Sequence, residues 1–490
     1  MHVPMAILQL LTCLIAAILS TAQGSSPPSI PHQIHLLRPQ TGAAGESVVG
    51  VSCLSWRLGV ETNNIINWKQ VPEKCAGYLG HYMLGHQYRE DSKVITDEAF
   101  LYAKSLRLAQ DGKNIWVFDI DETSLSNLPY YAKHGFGVEL YNATAFNEWV
   151  LTGKALALPE SLKLYKKLLS LGIKVAFLTG RPEDQRTVTA TNLKNAGFKT
   201  WEKLILKDLS IYKGKTAVFF KSNERAKLEK KGYRIIGNIG DQWSDLLGIP
   251  TGNRTFKLPD PMKIPQTILE LSHDSLLNIP RQIHLLRPKT TGATFVDKVE
   301  GLSCLSWRLA VETNNIIGWK TVPQECEGYV GNYVLGGQYR EDSRVVTNQA
   351  FLYAKSLNLS GDGKDVWVFD IDETSLSNLP YYADNGFGVE PYNASQFNEW
   401  VLKGVAPPLP ESLELYHKLL ALGIKVVFLT GRGEDQITVT SNNLKNTGYH
   451  TWEKLILKIV GNIGDQWSDL LGSSTGNRTF KLPDPLYYIA

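Results

Sequence analysis

Cysteine is scarce, with five in 490 residues. No CxxC pair and no Cys/His cluster occurs, which argues against a zinc site. An excess of charge of one sign is missing too. The 51 basic and 48 acidic residues leave a net charge of +3. That balance carries no footprint for nucleic acid or an anionic membrane, so neither is expected as a partner. Long apolar runs are absent beyond the first residues. The run from Ala6 to Leu19 is short for a membrane span. At 43% hydrophobic and 20% charged residues, the composition argues against long disorder.

What the chain does carry begins with "MHVPMAILQLLTCLIAAILSTAQGSS". This reads as a secretory signal peptide over residues 1–24, cleaved near Ala22 to Gly24, although no Lys or Arg precedes the apolar run. No stable membrane span is expected once it is removed. Cys13 lies within it. Cys53 and Cys75 are 22 residues apart, and so are Cys304 and Cys326. In an oxidising compartment one disulfide per pair is the simplest arrangement, and buried free thiols are the alternative. Sequons at Asn142, Asn253, Asn358, Asn393 and Asn477 fit the secretory pathway, with an extracellular or vacuolar destination.

The chain is a tandem repeat. "IPHQIHLLRPQTG" at residue 30 recurs as "IPRQIHLLRPKTT" at 279, and "GNRTFKLPDP" ends at 261 and again at 485. Two domains are expected, 30–261 and 279–485, joined by 262–278. Such a long period excludes a solenoid, and each copy is large enough for its own core. The offset between copies falls from 251 at Asp119/Asp370 to 224 at Asp241/Asp465, so 27 residues, 208–234, have no partner in the second copy. The missing piece contains a strand-like run, Ala217–Phe220, and a charged helix-like segment, Ser222–Lys231.

Within the first copy a helical segment precedes alternating strands and helices. "DEAFLYAKSLRLAQDG" has helical spacing. "NIWVFDID", "KVAFLTG", "KLILK" and "RIIGNIGD" read as buried strands. "LPESLKLYKKLLSLG" and "PEDQRTVTATNLKNAG" read as the helices between them, with Pro159 and Pro182 early and Gly172 and Gly197 late. The expected fold class is α/β: two tandem doubly wound parallel-sheet domains with N-terminal helical segments.

In such a sheet, functional groups gather beyond the carboxyl ends of the strands. The first strand ends in Asp119 and Asp121, and residues i and i+2 face one side of an extended chain. The second ends in Thr179, Gly180 and Arg181. A later one ends in Asp241, with Asp245 one turn on. Carboxylates with a backbone carbonyl suit Mg²⁺. A carboxylate can also attack phosphorus to form an aspartyl-phosphate, and a second one can serve as general acid and base. The Thr179 hydroxyl and nearby N–H groups can hold phosphoryl oxygens, and Lys221 can supply positive charge. Core packing is the favoured reading of Tyr130, Tyr131, Phe146 and Trp149 in the aromatic segment that follows. His134 is replaced by Asn385 in the second copy and is a poor catalytic candidate.

The motifs "DIDET" at 119, "FLTGRPE" at 177, "FKSNER" at 220 and "GNIGDQWSDL" at 237, with "CLSWRLGVETNN" near the start, carry a resemblance. Over nearly the whole chain, twice, the sequence resembles the plant acid phosphatase and vegetative storage protein family of the haloacid dehalogenase (HAD) superfamily. The resemblance implies two HAD-like (Rossmannoid) domains acting on small phosphomonoesters. It implies Asp119 as nucleophile, Asp121 as general acid/base that lends its carbonyl to Mg²⁺, Thr179 on phosphate, Lys221 on the phosphoryl group, and Asp241 and Asp245 at the metal. The second copy keeps Asp370, Asp372, Thr430, Asp465 and Asp469 but loses the lysine motif, so weak or absent activity is expected there. A storage glycoprotein with little activity is the alternative; retention of both nucleophile positions favours the enzyme. The "RHG" and "GNHE" motifs of other phosphatase chemistries are absent. A dimer through domain contacts is compatible with the repeat.

Overall fold

The computed structural model describes residues 51–65, 68, 70–263, 302–316, 319–453, 458–472 and 475–487. The signal peptide and most of the joining stretch lie outside them. All described residues belong to one unit, Gly42–Ala490. Among them no helix is long and apolar enough to cross a membrane.

In the first copy helices precede the sheet, among them α1 (Cys53–Glu61) and α2 (His86–Ser105), with Ala76–Leu84 between them. Then come β1 (Asn114–Phe118), α3 (Pro159–Ser170), β2 (Lys174–Pro182), α4 (Arg186–Asn195), β3 (Lys203–Lys207), α5 (Ala217–Lys230), β4 (Arg234–Gly240), α6 (Trp243–Leu246) and β5 (Thr255–Lys257). The sheet order is β3-β2-β1-β4-β5 and every pairing is parallel. The chain winds outward from β1 to β3, then crosses to β4. The switch point therefore lies between β1 and β4, where a doubly wound sheet opens a crevice at its carboxyl edge. This is the expected α/β class with a parallel Rossmannoid sheet.

Each face of the sheet has its own apolar layer. Trp116 and Phe118 of β1 pack toward α2 and α3, while Ile115 and Val117 pack with Phe220 and Leu228 of α5. All five residues of β1 are buried, as a central parallel strand requires. Tyr130, Tyr131 and Phe146 join the first layer, so the packing expectation holds for them.

Two local expectations are corrected. Ala217–Phe220 is not a strand. It is the first turn of α5, begun by the Thr216 hydroxyl accepting from the Phe219 N–H at 3.2 Å. Pro182 does not start a helix either. It is extended and closes β2, pairing with Lys207, and α4 follows only after a short turn.

The second copy repeats the pattern with α7 (Cys304–Glu312), α8 (Gly337–Ser356), β6 (Asp365–Phe369), α9 (Pro410–Ala421), β7 (Lys425–Phe428), α10 (Ile437–Asn446), β8 (Lys458–Gly464), α11 (Trp467–Leu470) and β9 (Thr479–Lys481). Its described sheet is β9-β8-β6-β7. The "KLILK" of this copy falls mostly outside the described residues. What the 27-residue gap removes is thus two helices, Leu209–Tyr212 and α5, rather than a strand and a helix. Leu178 of β2 is 1% exposed and its counterpart Leu429 is 62% exposed. One disulfide forms in each copy, Cys53–Cys75 and Cys304–Cys326.

The copies meet through matching surfaces. Asn64 donates to the Lys481 carbonyl and accepts from its N–H (2.8 and 2.9 Å), and Asn315 does the same at Lys257 (2.9 and 2.8 Å). Gln87 donates to Ser306, and Gln338 to Ser55. Trp243 stacks on its own counterpart Trp467, ring centroids 5.0 Å apart. A residue that meets its counterpart lies on a two-fold axis, so the contact is isologous, although one chain makes both sides.

Candidate active site

The carboxyl ends of β1, β2 and β4 converge at the switch point. The Asp119 N–H donates to the Ile239 carbonyl at 3.0 Å, which ties the end of β1 to β4. Asp241 follows β4 directly, and Asp245 closes a capping box on α6, accepting from the Gln242 N–H at 2.9 Å. Gly240 allows this close return: a Cβ there would stand 2.5 Å from that of Asp245. Carboxylate oxygens of Asp119, Asp241 and Asp245 lie within 4.8 Å of one another, all three residues buried. Asp370, Asp465 and Asp469 repeat the cluster.

Three cations pair with the carboxylates of this crevice. Lys221, on the second turn of α5, donates to Asp119 Oδ1 at 2.5 Å and to Asp245 Oδ1 at 2.6 Å. Burial alone would lower the ammonium's pKa, but these carboxylates raise it above the usual lysine range. Arg181 grips Asp121 through Nε (3.0 and 3.1 Å) and a terminal nitrogen (2.6 Å). Burial opposes ionisation of Asp121, yet the guanidinium's charge and hydrogen bonds outweigh it and hold the carboxyl at about 2. The third cation is Lys263, 2.6 Å from Glu122 and 3.3 Å from Asp241. Asp241 is accordingly pulled below the usual carboxylate range, against the effect of its burial. Asp119 moves the other way: burial pushes it well up, and Lys221 only partly offsets this.

Of the residues named from sequence, Asp119, Asp121, Thr179, Lys221, Asp241 and Asp245 come together. The side chain of Asp121 turns away from the acidic cluster toward Arg181 and Asn127, while its backbone carbonyl faces Lys263 at 3.4 Å. Thr179 Oγ1 lies 3.4 Å from Asp121 and accepts from the Arg181 N–H at 3.1 Å. Trp149 adds to its packing a donation to Asn127 Oδ1 at 2.8 Å, so the aromatic segment also fixes the residue that orients Asp121. His134 pairs with Glu139 away from this cluster.

Three residues escape sequence reasoning, and a fourth, Arg181, is named at its strand end without a role. Arg181 ends "TGR" with no role visible in the motif. Glu122 adopts φ 62°, a region costly for a residue with a Cβ, and is pinned there by Asn127 and Lys263. Arg225 is buried on α5 and donates to the carbonyls of Asp245, Leu247 and Pro250, holding the short helix that carries Asp245. Lys263 falls in the joining stretch. The signal for it was the end of the repeat, where "DPMK" in one copy stands against "DPLY" in the other.

The second copy keeps Asp372 clamped by Arg432 (2.6 Å), and Thr430 3.5 Å from Asp372. Lys221 has no counterpart, and Tyr487 stands in the place of Lys263. Among the described residues no ammonium or guanidinium pairs with Asp370, Asp465 or Asp469. Burial and mutual repulsion raise Asp370, Glu373 and Asp484 well above the carboxylate range, and raise Asp469 from 3.8 to about 7. A carboxyl whose folded pKa is raised favours folding while protonated and loses that contribution as pH climbs through the folded value. In chelator, the melting temperature is expected to fall by about 5 °C between pH 4 and 7. Hydrogen exchange is expected to show the larger loss in the second copy, where no ammonium or guanidinium of the described residues pairs with Asp370, Asp465 or Asp469.

The family model for HAD superfamily, subfamily IIIB (acid phosphatase), matches residues 39–265, 289–459 and 457–490. The chain belongs to this acid phosphatase family. Acid phosphatase 1 of Solanum lycopersicum is 51% identical over 212 residues, covering 43% of this chain and 83% of that protein. The stem 28 kDa glycoprotein of Glycine max is 52% identical over 227 residues, 46% of this chain and 88% of that one. Vegetative storage protein 1 of Arabidopsis thaliana is 44% identical over 263 residues, 51% of this chain and 96% of that one. Each relative is thus about one copy long. Within this HAD phosphatase chain, the clustered aspartates, the threonine and the lysine of the first copy occur in one crevice.

Proposed function

We propose that the first copy is a Mg²⁺-dependent acid phosphatase for small phosphomonoesters and that the second is weak or inactive. The observation that carries this is Lys221 bridging Asp119 and Asp245 at the switch point, where the aspartates of the crevice converge. In this reading Asp119 attacks phosphorus while the bond to the leaving oxygen breaks, and Asp121 gives that oxygen its proton. Asp121 then takes a proton from the water that attacks the aspartyl-phosphate. Phosphate leaves and Asp119 is restored. Asp121 starts ionised beside Arg181. The negative charge of a bound phosphomonoester raises its proton affinity, and acid pH completes the loading.

The donor set suits a hard cation: buried carboxylates of Asp119, Asp241 and Asp245, with the Asp121 carbonyl. These residues would hold Mg²⁺, which offsets phosphate charge so that a carboxylate can approach. Lys221 stabilises the charge that develops on the phosphoryl oxygens. In the second copy, Asp370, Asp372, Thr430, Asp465 and Asp469 keep the frame without that lysine. A storage role is favoured for that copy alone, in line with the name of one relative, vegetative storage protein 1. The disulfides and the same relatives support a secretory, extracellular or vacuolar setting. The isologous contact made inside one chain supplies the dimer-like pairing.

Purified full-length protein is expected to hydrolyse para-nitrophenyl phosphate at acid pH with Mg²⁺ and to lose turnover in chelator. A folded, Mg²⁺-loaded chain without turnover would hand the whole protein to the storage reading.

A further inference from the structure

After β5 the first copy runs through Asp260 and the buried Met262 to Lys263. The Met262 N–H donates to Asp260 Oδ1 at 3.0 Å, and this tight turn sends the next side chain back into the crevice. There the Lys263 ammonium lies 2.6 Å from Glu122 Oε2, 3.3 Å from Asp241 Oδ2 and 3.7 Å from Asp260 Oδ2, and donates to the Asp121 carbonyl at 3.4 Å. Two of these oxygens, on Asp241 and on the Asp121 backbone, are among those assigned above to the metal.

The equivalent position in the second copy is Tyr487. Its hydroxyl donates to Asp465 Oδ2 at 2.9 Å and its ring stacks on Tyr382, centroids 5.8 Å apart. The phenol reaches the same carboxylate without bringing a charge. The two crevices otherwise present the same acids: Asp119, Asp121, Glu122, Asp241, Asp245 and Asp260 against Asp370, Asp372, Glu373, Asp465, Asp469 and Asp484. A fixed ammonium among oxygens that also serve a divalent cation repels that cation and competes for its ligands, most strongly where water is excluded.

We propose that Lys263 is a built-in cation that weakens the first crevice's hold on its divalent metal, and that Tyr487 leaves the second crevice to bind the metal more tightly. The proposal rests on the metal-dependent reading above. It adds that the copy equipped for turnover exchanges its metal readily, while the copy without the lysine motif retains it.

The test is calorimetric titration of the full-length, metal-free chain with Mg²⁺ and with Mn²⁺. Two binding events of different affinity are expected, and Asp465→Asn should remove the tighter one. Lys263→Tyr installs the residue the second copy already accommodates, and should tighten the weaker event about tenfold or more. Lys263→Met, which keeps the stem and drops the charge, should act in the same direction. Tyr487→Lys should weaken the tighter event. Unchanged affinities in folded Lys263→Tyr and Lys263→Met proteins would overturn this inference and leave the metal-dependent phosphatase standing. Failure of the wild-type chain to bind either metal would overturn both.

Discussion

Asp119→Asn is expected to remove phosphomonoester hydrolysis from the full-length chain, with kcat falling on the order of 10⁴-fold, while Asp370→Asn leaves it within about twofold. The two residues follow closely similar strands, Asn114–Phe118 and Asp365–Phe369, and begin the same "DIDET" motif. Their surroundings separate them. Asp119 is held at 2.5 Å by an ammonium that also reaches Asp245, whereas Asp370 faces its acidic neighbours without one. An amide at Asp119 keeps the shape and the hydrogen bond of the carboxylate but cannot attack phosphorus. Steady-state kinetics on the two single variants and the double variant decide the matter. Equal losses in both single variants would mean that the second copy turns over as well.

Lys221→Met is expected to cost about 10²–10³-fold in kcat, the usual consequence of losing one stabiliser of transition-state charge. It should also destabilise the first copy, because Asp119 and Asp245 would be left buried without their shared partner, a loss of about 3–5 kcal/mol for a broken buried pair. The second effect is read by denaturant melts at pH 7 and should shrink at acid pH, where protonation removes the repulsion. This variant places in the first copy the defect that the 27-residue gap has already placed in the second. Its residual rate therefore estimates what a complete second copy without its lysine would achieve. A kcat within a few-fold of wild type would remove Lys221 from the mechanism.

The sheet was legible because its strands are short, apolar and punctuated by Gly and Pro, and the aspartates at their ends follow from where a doubly wound sheet opens. Of helix α5 the charged part, Ser222–Lys231, was legible as helix, but its first turn was not. Its buried face includes Lys221 and Arg225 beside Phe220 and Leu228, so charge interrupts the apolar periodicity that marks a helix. What remained was "AVFF", a four-residue apolar run that fits a strand equally well. The partners of Arg181 and Lys263 were hidden for a different reason. Each cation acts through a carboxylate far away in the chain, 60 and 22 residues distant in the cases of Asp121 and Asp241, and spacing cannot reveal such a pair. The disulfides were readable from repeated spacing. The contact between copies was not, since a polar "ETNN" turn gives no sign that its second asparagine will read the backbone of the other copy.

The stacked pair Trp243 and Trp467 has a consequence for mass action. Two separate subunits joined across such an axis fall apart on dilution. Here the partner is always on the same chain, so the contact is intramolecular, at an effective concentration on the order of millimolar. Folding of either copy is thereby linked to the other at any protein concentration, as a resident ligand stabilises its host. A second copy stripped of two helices can then persist beside an intact neighbour, and that neighbour in turn keeps the surface that its own fold expects to have covered.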